Sequence, residues 1–293
     1  MPDNKQELQT VTKQEVANAI GNSGIADSIL RSFDILAKQG QLIFPKGYNL
    51  GNQLKLMFTN ISQNGNLSKV SAISVGETLT EAVIQGLEID KKQCYFIARG
   101  NKLTMFRSYY GDIAVAKRTN LVKDIRARVI YKGDEYDLDT NEDGESIVVG
   151  HRTKLANMDN DIEGAYAWAD LPNGKRIYCI MTWNEIQKNW AKSSDPSRNV
   201  QKDFPQEMAK RSVIRRLVKM LFNTCPTDTS EYVQALIGSY NRTTEDEYEN
   251  KDYSEPSKKT TVTNTIIDDE TGEVIEANPE QQEEPVAEEE QDQ

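Results

Sequence analysis

The stretch from residue 164 to residue 181, GAYAWADLPNGKRIYCIM, decides the fold class of this chain. Residues 164–170 and 176–181 are rich in the aromatic and aliphatic side chains that favour β-strands. Between them lies Pro172-Asn173-Gly174, a sequence typical of a tight turn. The stretch therefore predicts an antiparallel hairpin.

Further strands and helices flank this hairpin. Residues 125–131, IRARVIY, alternate in polarity and predict a strand, and residues 94–107 predict a second hairpin. Helices are predicted over residues 110–118 and after a capping box formed by Thr182 and Glu185. A chain that mixes helices with antiparallel hairpins belongs to the α+β class.

The N-terminal third is predicted to be helical. Apolar residues recur at helical spacing over residues 29–36 and 54–61. A capping box at Ser74 predicts the start of a further helix, and Gly86 predicts its end. We therefore expect a helical N-terminal region over residues 1–74 and an α+β core with packed helices over residues 75–243.

The acidic charge is concentrated at the C-terminus. The whole chain has 35 Lys and Arg against 46 Asp and Glu, a formal net charge of −11. Residues 244–293 hold 18 acidic and 3 basic residues, which leaves a net charge of +4 on residues 1–243. Because the acidic segment has few apolar side chains to bury, we predict a disordered tail over residues 244–293.

No run of residues has the length and apolarity of a membrane span or of a signal peptide, so we expect a cytoplasmic protein without membrane contacts. The three cysteines, Cys94, Cys179 and Cys225, show no CxxC spacing. We expect them to be reduced and inert thiols that pack as small apolar side chains.

Motifs of catalysis are missing from the sequence. It has one histidine, His151, and no GxSxG, HExxH or GxxxxGK[ST] motif, so we expect neither an enzyme nor a bound cofactor. A need for Mg²⁺ stays open. Residues 139–144, DTNEDG, match the first half of a calcium loop, but Gly150 stands where the bidentate glutamate should be, which favours a polar hairpin loop. The acidic residues from Asp134 to Asp143 leave a metal-dependent nuclease as an alternative.

The strongest signal is a basic helix predicted over residues 206–221. Its apolar residues, Val213 to Leu221, form one arc, whereas Arg211, Arg215 and Lys219 recur every four residues on another side. More cations lie near turns and strands, with tyrosines and tryptophans between them. Cations for phosphates and aromatic rings for bases are typical of a protein that binds single-stranded nucleic acid. A solvated helix face over an aromatic core explains the same pattern equally well.

The order of these motifs resembles the RecT family of phage and prophage single-strand annealing recombinases. The resemblance covers roughly residues 75–225. The matching positions are Tyr110 and Gly111, Tyr131 with Glu135 and Tyr136, Ala165 to Glu185, and Phe204, Met208, Lys210, Ser212, Ile214 and Arg215.

The resemblance implies ATP-independent binding of single-stranded DNA and annealing of complementary strands through a duplex intermediate, in the cytoplasm of a bacterial host. It also implies a homo-oligomer, either a ring or a helical filament, with a 5′→3′ exonuclease and the host single-strand-binding protein as partners. Residues 1–74 would then contact neighbouring subunits, and residues 75–243 would bind DNA. The expected phosphate contacts are Lys210, Arg211, Arg215, Lys219, Lys117, Arg118, Arg107 and Lys123. A non-catalytic protein-binding scaffold is a further alternative.

Overall fold

A computed structural model describes residues 23–38, 45, 47–65, 68, 70–191, 198–226, 229–248, 266–267 and 274–275. Residues 1–22 of the predicted helical region, and the predicted disordered tail from residue 249 onwards apart from its four paired residues, lie outside the described part. The chain divides into one compact unit, Met1–Ser254, and a second unit, Glu255–Gln293.

The elements of the first unit alternate between helices and antiparallel hairpins, which confirms the α+β class. The helices are α1 (Ser23–Lys38), α2 (Leu50–Gln63), α3 (Ala72–Ile84), α4 (Tyr109–Arg118), α5 (Trp183–Ala191), α6 (Arg198–Asp203), α7 (Pro205–Asn223) and α8 (Glu231–Tyr248), with a 3₁₀ turn over Leu155–Asp159. The strands are β1 (Cys94–Arg99), β2 (Lys102–Arg107), β3 (Asp124–Tyr131), β4 (Glu135–Thr140), β5 (Ser146–Arg152), β6 (Ile162–Asp170) and β7 (Arg176–Thr182). In the second unit, β8 (Ile266–Ile267) pairs antiparallel with β9 (Val274–Ile275).

The central sheet has the order β3–β6–β7, and all its pairs are antiparallel. The predicted hairpin forms its β6–β7 half. Three alternate residues of β6, Ala165, Ala167 and Ala169, have no exposed surface and belong to the same core as Val213 and Leu217 of α7. Their small side chains allow α7 to pack closely against one face of the sheet, which we call the inner face.

The N-terminal helices belong to the same core as the sheet. Helix α1 packs on α3, and α3 packs on β2. The predicted cap at Ser74 is wrong, because Ser71 caps α3 by accepting a hydrogen bond from the backbone N–H of Ser74 at 3.2 Å. The Ser74 hydroxyl instead accepts a hydrogen bond from the N–H of Leu103 in β2. Gly86 ends this helical segment in the left-handed region at φ +64°, as predicted.

Helix α8 extends the core beyond its predicted end. It runs to Tyr248, and Thr244 is 3 % exposed, so the first five residues of the predicted acidic tail are helical. The composition changes near residue 244, but Thr243 and Thr244 of the helix are both buried. The predicted boundary between core and tail at residues 243 and 244 is therefore too early.

Strands β4 and β5 form a two-stranded arm, Glu135–Arg152, outside the central sheet. Residues 139–144 lie at its tip as the predicted polar loop. The Asn141 side chain oxygen accepts hydrogen bonds from the N–H groups of Asp143 and Glu145, so it stabilises the turn. Among the residues that the structure describes, no three His, Cys, Asp or Glu side chains are grouped so that they could hold a metal ion. No helix in the described ranges has the length and apolarity to cross a membrane.

Candidate nucleic-acid interface

The eight cations that the sequence predicts as phosphate contacts fall into two groups. Four of them are buried or half-buried: Arg107, Arg211 and Arg215, which form an inward cluster around Asp112, and Arg118, which lies beside Gln85 and Glu88. The other four are at least partly exposed: Lys117, Lys123, Lys210 and Lys219.

Asp112 of α4 lies at the centre of the inward cluster and has no exposed surface. One of its carboxylate oxygens is 3.1 Å from Nε of Arg107, and the other is 3.3 Å from Nε of Arg215. The hydroxyl of Tyr240 donates a further hydrogen bond to the carboxylate. Burial by itself raises the pKa of Asp112, but the charges of Arg215 and Arg107 outweigh burial and hold the pKa below its ordinary value.

Arg107 is fully buried. Its guanidinium lies 3.9 Å from the centre of the Tyr240 ring and donates hydrogen bonds to the backbone oxygen of Tyr240 and to the hydroxyls of Thr243 and Thr244. It therefore ties β2 to the last turns of α8. An arginine enclosed in this way does not lie on a surface that DNA can reach.

Arg215 is 7 % exposed, and it too is wrongly predicted as a surface residue. The apolar arc of α7 is correct, since Val213 and Leu217 are fully buried. The helical periodicity predicted that the arginines beside that arc are exposed to solvent, because a pattern within one helix gives no reason for a charged side chain to be buried. The carboxylate of Asp112, on another helix, instead draws Arg215 into the protein interior.

The remaining inward arginines hold backbone carbonyl groups. Arg211 donates a hydrogen bond to the backbone oxygen of Arg107 at 3.1 Å. Arg118 donates to the backbone oxygen of Gln85 at 3.3 Å and forms an ion pair with Glu88. Burial lowers the pKa of Arg118. These contacts stabilise the junction between helices and strands.

The exposed lysines lie in three places. Lys117, at the end of α4, and Lys123, just before β3, lie together at one end of the central sheet, where Lys117 contacts Asp124 at 3.3 Å. Lys210 forms an ion pair with Glu207 at 2.7 Å near the start of α7. Lys219 follows nine residues later, half a turn out of phase with Lys210, so the two lysines project from opposite sides of α7. The predicted stripe of Arg211, Arg215 and Lys219 is not one exposed surface either, because Arg215 in its middle is buried.

Two arginines that were not predicted as contacts extend the cationic end of the sheet. Arg126 of β3 is exposed beside Asp124, and Arg176 of β7 is exposed beside Asp170 at 2.7 Å. The sequence could have indicated Arg126 as a contact, because the alternation of residues 125–131 places its side chain on the face of β3 opposite the apolar residues. The cationic surface that the tertiary structure assembles here lies on the sheet, whereas the sequence indicated the helix.

The single histidine is a structural residue of the arm. His151 is 1 % exposed at its side chain, and its Nε2 lies 2.9 Å from a carboxylate oxygen of Asp134. Thr153 and Asn157 also donate hydrogen bonds to Asp134. Burial raises the pKa of Asp134, but hydrogen bonds from the Tyr131 backbone and these side chains outweigh burial and lower the pKa to about 2. Asp134 thus anchors the arm to the sheet.

The sequence model of the RecT family matches residues 51–263. The chain belongs to the RecT family. It is also similar to Protein RecT of Escherichia coli (strain K12), with 25 % identity over 230 residues that cover 75 % of this chain and 83 % of that protein.

The RecT-family match includes both groups of cations. It begins in α2 and continues past the end of α8, so the buried Asp112 cluster, the arm and the cationic end of the sheet all lie within it. Helix α1 lies before it. The family therefore shares the region that forms the candidate interface.

Proposed function

We propose that this protein binds single-stranded DNA without ATP and anneals complementary strands in recombination. The observation that carries the proposal is the RecT-family match over residues 51–263, which spans the sheet and its exposed cations. Annealing needs no catalytic group, because base pairing supplies the free energy. The protein contributes orientation and reduces the repulsion between two polyanions.

The exposed lysines are the best candidates for phosphate contacts. Lys117 contacts Asp124 at the end of the sheet, Lys123 is the exposed residue just before Asp124, and the Asp124 carboxylate is shared with Arg126. Such surface ion pairs are weak, so a phosphate can replace the carboxylate. Each contact made in this way releases counterions from the DNA.

The buried arginines have an indirect role in this proposal. Arg107 and Arg215 join β2, α4, α7 and α8 through Asp112. They therefore set the position of Lys117, at the end of α4, relative to Lys210, on α7. They act as positioning residues and do not contact the phosphate themselves.

Membership of the RecT family also supports a proposal for the assembly and the partners. We propose a ring or a helical filament of identical subunits, with residues 1–74 in subunit contacts. We propose a 5′→3′ exonuclease and the host single-strand-binding protein as partners. The 13 acidic and 2 basic residues of the segment 255–293 provide a net charge of −11 that competes with DNA for the cations.

The test is annealing of two complementary labelled oligonucleotides without ATP, with Mg²⁺ or with EDTA. We expect annealing and a linear fall of log affinity with log salt, about 0.7 for each phosphate contacted. The variant Lys117→Ala/Lys123→Ala should reduce this slope by about 1.4, whereas Lys91→Ala, an exposed lysine outside the predicted set, should leave it unchanged.

The behaviour of the wild-type protein in this assay distinguishes the proposal from its alternatives. Failure to bind DNA at low salt would overturn the proposal in favour of a scaffold protein. Degradation of the oligonucleotides in Mg²⁺ would favour a nuclease.

A further inference from the structure

The outer face of the central sheet, opposite α7, carries arginine and aromatic side chains. We define this outer face by Arg126 and Arg128 of β3, Tyr166 and Trp168 of β6, and Arg176, Tyr178 and Ile180 of β7. These residues alternate along their strands with the buried residues of the inner face. The register places Arg126, Trp168 and Tyr178 in one row across the sheet, and Arg128, Tyr166 and Ile180 in the next.

The aromatic rings of this face continue into the arm. Tyr166 stacks on Trp168 with ring centres 5.7 Å apart, and the ring of His151 lies 5.6 Å from Tyr166. Tyr136 of the arm contacts His151 edge-on at 6.4 Å. The arm thus covers the Tyr166 end of the outer face, and Trp168 and Tyr178 remain partly open to solvent.

Arginines surround the open rings. The guanidinium of Arg176 lies 5.5 Å from the centre of the Trp168 ring, and its side chain is 48 % exposed. Arg126 is 67 % exposed, and Arg128 donates a hydrogen bond to the backbone oxygen of His151 at the base of the arm. With Lys117 these arginines make four cations, and the carboxylates they contact are the two of Asp124 and Asp170.

We propose that the outer face binds single-stranded DNA by stacking bases on Trp168 and Tyr178, while Arg126, Arg128 and Arg176 contact the phosphates. The proposal rests on the proposed function and identifies the surface that holds the strand. A base that replaces Arg176 over the indole leaves that guanidinium able to turn to a phosphate, which its planar fork binds well.

This arrangement suits annealing. Stacking uses the face of a base and leaves the Watson–Crick edge open to a second strand. Aromatic stacking also tolerates any sequence, as an annealing protein requires. The outer face would therefore present the bound strand to a complementary one.

The test uses the full-length protein with an oligo-dT probe. Trp168→Leu removes the ring but keeps an apolar side chain, and should lose about 5- to 150-fold in affinity, the range expected for one stacked base. Its salt slope should stay that of the wild type. Arg126→Ala/Arg128→Ala should instead reduce the slope by about 1.4. The control Arg242→Ala removes an exposed arginine of α8 and should change neither quantity.

Tryptophan fluorescence gives a second readout. Oligo-dT should quench the wild type, and Trp168→Phe, which keeps a stacking ring, should retain affinity but lose most of the quenching. Wild-type affinity in both Trp168→Leu and the double arginine variant would overturn the proposal while the proposed function stands. Absence of DNA binding by the wild type would overturn the proposed function itself.

Discussion

Replacement of Asp112 by asparagine tests the inward arginine cluster most directly. Asp112 and Arg107 have no exposed side-chain surface, and the side chain of Arg215 is 9 % exposed. The asparagine side chain would keep the shape of the aspartate and could still accept a hydrogen bond from Tyr240. The substitution would remove the negative charge of Asp112, which pairs with both guanidinium groups.

The expected cost follows from leaving buried cations without this counter-charge. Removing one partner from a buried ion pair costs about 3–5 kcal/mol of unfolding free energy. A domain of this size has a total stability of about 5–15 kcal/mol, so Asp112→Asn should lose a large share of it. The melting temperature should fall by about 6–20 °C, at about 2–4 °C per kcal/mol.

The assay is urea unfolding followed by circular dichroism, with Asp34→Asn as the control. Asp34 forms an ion pair with Lys38 on the surface of α1, so its loss should leave the midpoint unchanged. Arg215→Met in the Asp112→Asn background should recover part of the stability, because it removes one uncompensated charge. An Asp112→Asn midpoint equal to that of the wild type would refute the assignment of these arginines to a buried cluster.

Three further changes test the core, its C-terminal limit and the arm. Leu217→Ala should lower the unfolding free energy by about 2–5 kcal/mol, because Leu217 is fully buried, whereas Arg216→Ala on the exposed side of α7 should change it little in the same urea titration. Truncation after Thr243 should lower the melting temperature, because it removes the hydrogen bond between Thr244 and Arg107. Truncation after Ser254 should preserve the melting temperature and strengthen DNA binding at low salt. Equal melting temperatures of the two truncated proteins would contradict the corrected boundary. Because the pKa of Asp134 is lowered in the folded state, its ionised carboxylate stabilises the fold above about pH 4, and this stabilisation is lost as the pH falls towards 2. The unfolding free energy of the wild type should therefore fall more steeply over that range than that of Asp134→Asn. Parallel curves of unfolding free energy against pH would contradict the role of Asp134 as an anchor of the arm.

The hairpins and the fold class were predictable because their signals are local. The β6–β7 hairpin needs only alternation on both sides of a Pro-Asn-Gly turn, and all of it lies within residues 164–181. The capping box at Thr182 is equally local, and the Glu185 carboxylate accepts the hydrogen bond from the Thr182 N–H as expected. The order of such motifs along the chain also sufficed to indicate the RecT family.

The cap of α3 shows where local signals were ambiguous. Ser71 and Ser74 are both good capping residues, and the capping-box pattern favoured Ser74. The choice depended on β2, because Leu103 donates its N–H to the Ser74 hydroxyl and so occupies that oxygen inside the core. A contact with Leu103, 29 residues after Ser74, therefore decided which of the two serines caps the helix.

Local patterns along the chain were enough to predict the hairpins, the α+β class, the family and the cationic character of this protein. The tertiary structure alone decided which cations face water. Arg215 turns inward because Asp112, 103 residues earlier, is buried beside it, and a helical wheel contains no information about a charge on another helix. The outer face of the sheet likewise exists only once β3, β6 and β7 are in register, because its arginines and aromatic rings come from three separate strands. A surface of this kind depends on distances between segments, and such distances are set by packing.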